Sequence, residues 1–66
     1  MSIKPGIYLH YKGKRYVVFN TALHTETEEL MVLYRCEGEA RLFVRPLDMF
    51  VEDVKPGVPR FKYLED

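Results

Sequence analysis

The side chains with the widest chemical range in this sequence are its two histidines, His10 and His24. Glu26 lies two residues after His24, and a carboxylate near an imidazole can orient it for proton transfer. No nucleophile accompanies this pair, and no His-x-His or His-Glu-x-x-His spacing supplies the three or more converging ligands of a zinc site. We therefore expect hydrogen-bonded or solvated histidines, with no catalytic residue, metal site or cofactor. An enzyme or metal protein that uses His10, His24 and Glu26 is the rival hypothesis.

The single cysteine, Cys36, excludes an internal disulfide. Small secreted domains usually depend on disulfides, so a reducing cytosol is the expected compartment. The first residues lack the apolar run of a signal peptide, and no apolar stretch is long enough to span a bilayer. We therefore expect a cytoplasmic protein without a membrane partner.

The length and charge of the chain limit its function further. Its 66 residues are enough for one domain, residues 1–66. Ten Lys and Arg balance ten Asp and Glu, so the formal net charge is zero. A strongly basic domain would indicate nucleic-acid binding, whereas this chain offers only local basic patches. Neither the charge nor the length sets an oligomeric state.

Apolar and polar residues alternate in five short segments, which predicts β-strands. The predicted strands are residues 7–11, 15–23, 30–34, 41–45 and 60–64. Between them, residues 24–29 form a polar connection, although Thr25 and Glu28 also match a helix capping box. Residues 46–50 are too few for a regular helix and suit one 3₁₀ turn, and residues 55–59 read as a loop.

Five short strands with tight connections predict an all-β fold. An open sheet of this size leaves both edge strands exposed, and partial closure protects them. The predicted architecture is a small, five-stranded, SH3-like, partly closed barrel with one short 3₁₀ turn before the last strand. An OB-like barrel is the alternative, although its strands are usually longer.

The third and fourth predicted strands form a hairpin whose register follows from its turn. A two-residue loop at residues 38–39 places Gly first, as a type II′ turn requires. Tyr34 then lies opposite Phe43. A shift of one residue would place Arg35 opposite Arg41, and like charges directly opposed are unfavourable.

This register divides the hairpin into two faces. The face that we expect to form the core carries four aliphatic side chains: Met31, Leu33, Leu42 and Val44. Arg35 lies on the same face and is the one charged residue that does not suit a core. The other face carries the candidate binding residues: Tyr34, Arg41, Phe43 and Arg45. Arginine beside exposed aromatics suits base stacking and peptide grooves. Alternatively, Phe50, Phe61 or Tyr63 covers this face and makes it a second core cluster.

Several segments in order resemble a small bacterial family, domain-of-unknown-function family 1653. Residues 6–18, GIYLHYKGKRYVV, resemble its opening, and residues 24–27, HTET, resemble its second signature. Residues 33–35 and 43–50 are similar to the third signature, and residues 58–61 to its close. The resemblance covers nearly the whole chain and implies a small bacterial protein or module without an established activity.

The sequence departs from the family pattern at two positions. Phe43 stands where the family usually has Trp, and Glu28 stands where a Gly often closes the second signature. The matching polar residues indicate either a shared site or a shared hydrogen-bond network: His10, His24, Thr25, Glu26, Arg35 and Arg45.

The leading functional hypothesis is a small non-catalytic binding or interaction module. Its partner would be a protein, a peptide or a nucleic acid. A nucleic-acid binder that uses the Arg and aromatic face is the first alternative, because that face combines cations with stacking surfaces.

Overall fold

The computed structural model describes residues 3–66. In this part of the chain the elements are β1 (Gly6–His10), β2 (Arg15–Leu23), β3 (Leu30–Cys36), β4 (Leu42–Pro46), α1 (Leu47–Phe50), β5 (Asp53–Lys55), β6 (Val58–Pro59) and β7 (Phe61–Glu65). The five predicted strands correspond to β1, β2, β3, β4 and β7, and their ends differ by two residues at most.

These five strands form one antiparallel sheet in the order β4-β3-β2-β1-β7. The edge strands β4 and β7 are not paired with each other, and α1 and the β5–β6 hairpin connect them. The sheet is thus a small, barrel-like arrangement that is not fully closed, which confirms the predicted all-β, partly closed architecture. No helix within residues 3–66 has the length and apolar character needed to cross a membrane.

Two connecting segments differ from the sequence-based prediction. Residues 46–50 were expected to form a 3₁₀ turn, but the Val51 N–H donates to the Leu47 carbonyl at 3.1 Å, which is the four-residue spacing of an α-turn. The predicted loop at residues 55–59 contains the turn of the β5–β6 hairpin, in which Lys55 pairs with Val58. Pro56 and Gly57 occupy the turn, and Gly57 has a φ of +81°, which suits the third position of a type II turn.

A β-bulge bends β2 in the middle of the sheet. Val18 pairs with Tyr34 and Asn20 pairs with Leu33, which leaves Phe19 without a partner on β3. A bulge of this kind bends its strand and increases the local twist. The bend contributes to the curvature that brings the two edges of the sheet towards each other.

The register predicted for the β3–β4 hairpin is confirmed, since Tyr34 pairs with Phe43. The predicted two-residue loop at residues 38–39 is wrong. The Glu39 N–H donates to the Cys36 carbonyl at 3.0 Å, and Gly38, with a φ of +88°, takes the third position of that turn. Residues 39–41 then continue without strand pairing before β4 begins.

The core lies on the opposite face of the sheet from the one predicted. The buried hydrophobic residues are Tyr8, Val18, Val32, Tyr34, Leu47, Phe50 and Phe61. In contrast, Leu42 and Val44 of the predicted core face are 56% and 58% exposed. Met31 and Leu33 on that face are half-buried. The aliphatic face was therefore the wrong choice, and the face that carries Tyr34 is the one covered.

Aromatic side chains from outside the hairpin explain this choice of face. Phe50 of α1 and Phe61 of β7 stack in parallel with ring centroids 4.0 Å apart. Tyr34 packs edge-on against both rings, at 5.4 and 5.7 Å. Large aromatic side chains remove the most apolar surface from water, so the face that they cover becomes the core. This is the arrangement that the sequence offered as the alternative for Tyr34.

Two valines on opposite faces of the β3–β4 hairpin test this assignment. Val32 is 0% exposed and Val44 is 58% exposed. We expect Val32→Ala to lower the free energy of unfolding by about 2 kcal/mol, because two buried methyl groups are lost and a cavity remains. Val44→Ala should cost about 0.5 kcal/mol or less. Urea denaturation of both variants measures the difference, and equal losses would contradict the assignment.

Candidate basic–aromatic site

The side chains of His10 and Arg45 lie near the ring of Phe61, and we call these three residues, together with the neighbouring Arg60, the basic–aromatic site. The His10 ring lies 4.9 Å from the Phe61 ring, centroid to centroid, at an interplanar angle of 75°. The guanidinium carbon of Arg45 is 5.9 Å from the Phe61 centroid. Arg60 directly precedes Phe61 in the chain. The site therefore joins β1, β4 and the start of β7.

Strand pairing holds each of these residues in place. His10 pairs with Phe61 across the β1–β7 ladder. Arg45 pairs with Val32 of β3, so its position depends on the β3–β4 register. Both backbone polar groups of Arg60 are hydrogen-bonded. Its carbonyl accepts from the Tyr11 N–H at 3.0 Å, and its N–H donates to the Glu52 carbonyl at 3.1 Å. Because Arg45 is on one edge strand and Phe61 on the other, the site lies where the two edges approach.

The arginines of the site carry more positive charge than the neighbouring carboxylate neutralises. The Arg60 guanidinium donates to the Glu52 carboxylate at 3.0 Å, which offsets one charge. Arg45 forms no ion pair with any residue in the range 3–66, and its Nε donates only a long 3.4 Å hydrogen bond to the Tyr34 hydroxyl. The Nε of Arg60 is buried and has no hydrogen-bond acceptor among the described residues. Buried polar groups are normally satisfied, so this unpaired donor is an exception in the structure.

His10 is positioned as a neutral donor beside these arginines. Its Nδ1 accepts a hydrogen bond from the Lys12 backbone N–H at 3.1 Å, which leaves the proton on Nε2. Burial lowers the pKa of His10 below its usual value of 6.5, and the positive charges of Lys12, Arg45 and Arg60 lower it further. The cationic environment therefore disfavours a third positive charge in the site.

The four candidate binding residues of the β3–β4 hairpin have different environments. Tyr34 belongs to the core and is 6% exposed, whereas Phe43 is 38% exposed. Their rings lie 5.8 Å apart at an interplanar angle of 38°. Arg41 is exposed and lies just before β4, and Arg45 is half-buried in the basic–aromatic site. The part of this face open to a ligand is thus Arg41, Phe43 and Arg45.

The residues predicted as a polar cluster do not meet at one place. His10 ends β1 and His24 follows β2, and the nine residues of β2 between them span about 30 Å when extended. Arg35 lies elsewhere, with its guanidinium carbon 5.8 Å from the Phe19 centroid and a hydrogen bond donated to the Glu39 carbonyl at 3.1 Å. His10 and Arg45 share the basic–aromatic site, and His24, Thr25 and Glu26 share one turn.

His24, Thr25 and Glu26 build the turn between β2 and β3. The Nδ1 of His24 accepts from the backbone N–H groups of Glu26 and Thr27, both at 3.3 Å. The Glu28 N–H donates to the His24 carbonyl at 2.7 Å, and the His24 N–H donates to the Glu29 carbonyl at 2.8 Å. The imidazole thus supplies the acceptor for two N–H groups that have no backbone acceptor. Residues 24–29 form a turn, so the helix that the capping-box match suggested for this segment is wrong.

Sequence reasoning missed Arg60 and Phe61 as members of the site. They were read as the start of the last strand, and nothing local connects them with His10 or Arg45. The one available signal was the family-like segment at residues 58–61. The proximity of these residues depends on strand pairing over about fifty residues of chain, for example between His10 and Phe61.

Other surfaces offer less chemistry. Within residues 3–66, no group of three or more His, Cys, Asp and Glu side chains is placed to hold a metal ion. An open depression of about 250 Å³ is lined by Glu29, Leu30, Leu47 and Asp48, away from the basic–aromatic site. Cys36 is a free, half-buried thiol at the end of β3.

Comparison with known proteins gives a consistent result. Residues 6–63 match the family described as "protein of unknown function (DUF1653)". The fold is similar to the crystal structure of a protein of that family from Bordetella bronchiseptica, with a TM-score of 0.85 and 33% sequence identity over 96% of this chain and 88% of that chain. No curated protein matches the chain. The family resemblance found in the sequence motifs is confirmed.

The turn at His24 predicts a stabilising substitution. Glu28 has a φ of +61°, a left-handed conformation that costs a residue with a Cβ about 1–2 kcal/mol. We expect Glu28→Gly to raise the free energy of unfolding by about 0.5–1 kcal/mol, after the greater flexibility of Gly in the unfolded chain is subtracted. Glu28→Ala is the control, since it removes the same charge but retains the Cβ. Urea denaturation should rank Gly above Ala, and the reverse order would contradict the role of backbone strain.

The lowered pKa of His10 predicts a pH-dependent stability. In the unfolded chain this pKa returns to about 6.5, so below that pH the unfolded state binds more protons than the folded state. The stabilisation that depends on neutral His10 should therefore be fully present above pH 6.5. The free energy of unfolding should fall as the pH drops through 6.5 towards the folded-state pKa. Urea denaturation between pH 7.5 and 5.5 measures this slope. His10→Gln should flatten it, and an unchanged slope in that variant would assign the effect to other groups.

Proposed function

The chain belongs to the DUF1653 family, and we propose that it is a small, non-catalytic binding module whose ligand presents an anionic group to the basic–aromatic site. The observation that carries this proposal is the unused donor capacity around Phe61. Arg45 lacks an ion pair within residues 3–66, and the Nε of Arg60 is buried without an acceptor. An anionic oxygen would give the Arg45 guanidinium the charge-assisted hydrogen bonds that it lacks.

The arrangement of the site favours binding over catalysis. His10 uses Nδ1 to accept from the Lys12 N–H, so only Nε2 is available to a ligand, and then as a donor. Arg45 and Arg60 are also donors without acceptor capacity. A site built from donors of this kind recognises an acceptor-rich group, and it supplies neither a nucleophile nor a general base.

The rival hypothesis was an enzyme or metal protein that uses His10, His24 and Glu26. The separation of His10 from His24 along the length of β2 argues against a shared site. The hydrogen bonds from Glu26 and Thr27 to the His24 Nδ1 explain the second signature as turn architecture. We place the module in the cytosol, where the Cys36 thiol stays reduced.

Inorganic phosphate is a suitable first probe of the anion site. We expect saturable shifts of the side-chain Nε resonances of Arg45 and Arg60 and of the His10 ring in an NMR titration. Arg45→Gln should weaken phosphate binding roughly tenfold, because a charge-assisted hydrogen bond is lost. Lys62→Gln is the matched control, since Lys62 is an exposed cation on β7 that pairs with Leu9 outside the site. Equal weakening in both variants, or no saturable shift at the three side chains, would contradict the proposal.

A further inference from the structure

We propose that the anionic ligand of the basic–aromatic site is a single-stranded nucleic acid, with its phosphates on Arg45 and Arg41 and one base stacked on Phe43. This inference rests on the proposed function and names its ligand class. It starts from the exposed part of β4 and the residue before it, where an aromatic side chain lies between two arginines in the sequence Arg41-Leu42-Phe43-Val44-Arg45.

Phe43 supplies the stacking surface. Phe43 is 38% exposed. Phe50 and Phe61, which also contact Tyr34, are buried, at 1% and 7% exposed. The Phe43 ring is supported by Tyr34, 5.8 Å away at 38°, so it has a packed partner on the core side. A supported and exposed ring is a platform on which a base of any type can stack.

The two arginines lie on either side of this platform along the chain. Residues two apart in an extended strand point to the same side and are separated by about 6.6 Å. Arg45 therefore shares a side of β4 with Phe43, and Arg41 precedes the strand by one residue and is exposed. An extended nucleotide chain alternates phosphate and base with a comparable repeat, so one base and its flanking phosphates fit this row.

The edge position of β4 leaves room for such a strand. β4 pairs only with β3 in the five-stranded sheet, so its other edge carries no strand among the described residues. Arg45 belongs both to this row and to the basic–aromatic site, so the phosphate that it binds is the anionic group of the proposed function. Because the overall net charge is zero, the chain as a whole does not attract a polyanion. The attraction would come from this local basic patch.

The geometry favours a single strand over a duplex or a peptide. Duplex recognition places a helix or a two-stranded ribbon in the major groove, whereas the row of Arg41, Phe43 and Arg45 belongs to a single edge strand and the residue before it. An acidic peptide would satisfy the arginines but would leave Phe43 without a stacking partner. A single-stranded ligand uses both features.

Fluorescence anisotropy with labelled ten-nucleotide oligo-U and oligo-dT tests the proposal. We expect both to bind more tightly than inorganic phosphate and more tightly than a duplex of equal length or a Pro-rich peptide. Phe43→Leu should weaken binding about 5- to 150-fold, the range for loss of one base stack. Arg41→Gln should weaken it and reduce the slope of log K against log salt by about 0.7, the value for one phosphate on a single strand.

Phe19 and Arg35 are the matched control, because they form another pair of an aromatic ring and an arginine, 5.8 Å apart, with Phe19 41% exposed and Arg35 half-buried. Phe19→Leu and Arg35→Gln should leave oligonucleotide affinity unchanged, and the NMR spectrum of each variant verifies its fold. Equal effects at Phe19 and Phe43 would overturn the proposal, as would tighter binding of the duplex or the peptide. If phosphate binds at Arg45 but the oligonucleotides bind no more tightly, the nucleic-acid ligand is wrong and the anion site stands. If neither binds, both proposals are wrong.

Discussion

The stack of Phe50 on Phe61 is the interaction on which the rest of this small structure depends. The two rings are parallel and 4.0 Å apart, and they join α1 to the first residue of β7. Tyr8 and Tyr34 pack against Phe50 at 5.6 and 5.4 Å, so β1 and β3 are tied to the same centre. Phe50 of α1 thus places a large, fully buried ring against the aromatic side chains of three strands.

The same stack also determines where function can be located. Phe61 is both a core residue and the ring near which His10 and Arg45 lie. The core therefore positions the aromatic part of the candidate site. The other face of the sheet has no such cover, which leaves Phe19, Leu42 and Val44 exposed.

The polar residues shared with the family divide into two groups with different physical roles. His24 accepts two backbone N–H groups and so completes the turn between β2 and β3. His10 also accepts one backbone N–H, from Lys12, but burial and the charges of Lys12, Arg45 and Arg60 lower the pKa of its ring. At the His24 end of β2 the shared polar residues form a structural network. At the His10 end they belong to the candidate site. The positive φ of Glu28 explains why a Gly suits that position of the turn.

The sequence by itself determined what depends on neighbours along the chain. Alternation located the five strands of the sheet, and the repulsion expected between Arg35 and Arg41 selected the correct pairing of Tyr34 with Phe43. Alternation also separated the two faces of the hairpin, but it could not say which one is buried, since both carry apolar side chains. That choice was made by Phe50 and Phe61, which reach Tyr34 from later elements of the chain. The basic–aromatic site likewise exists only in the tertiary structure, because pairing of β1 with β7 is what brings His10 to Phe61 across about fifty residues.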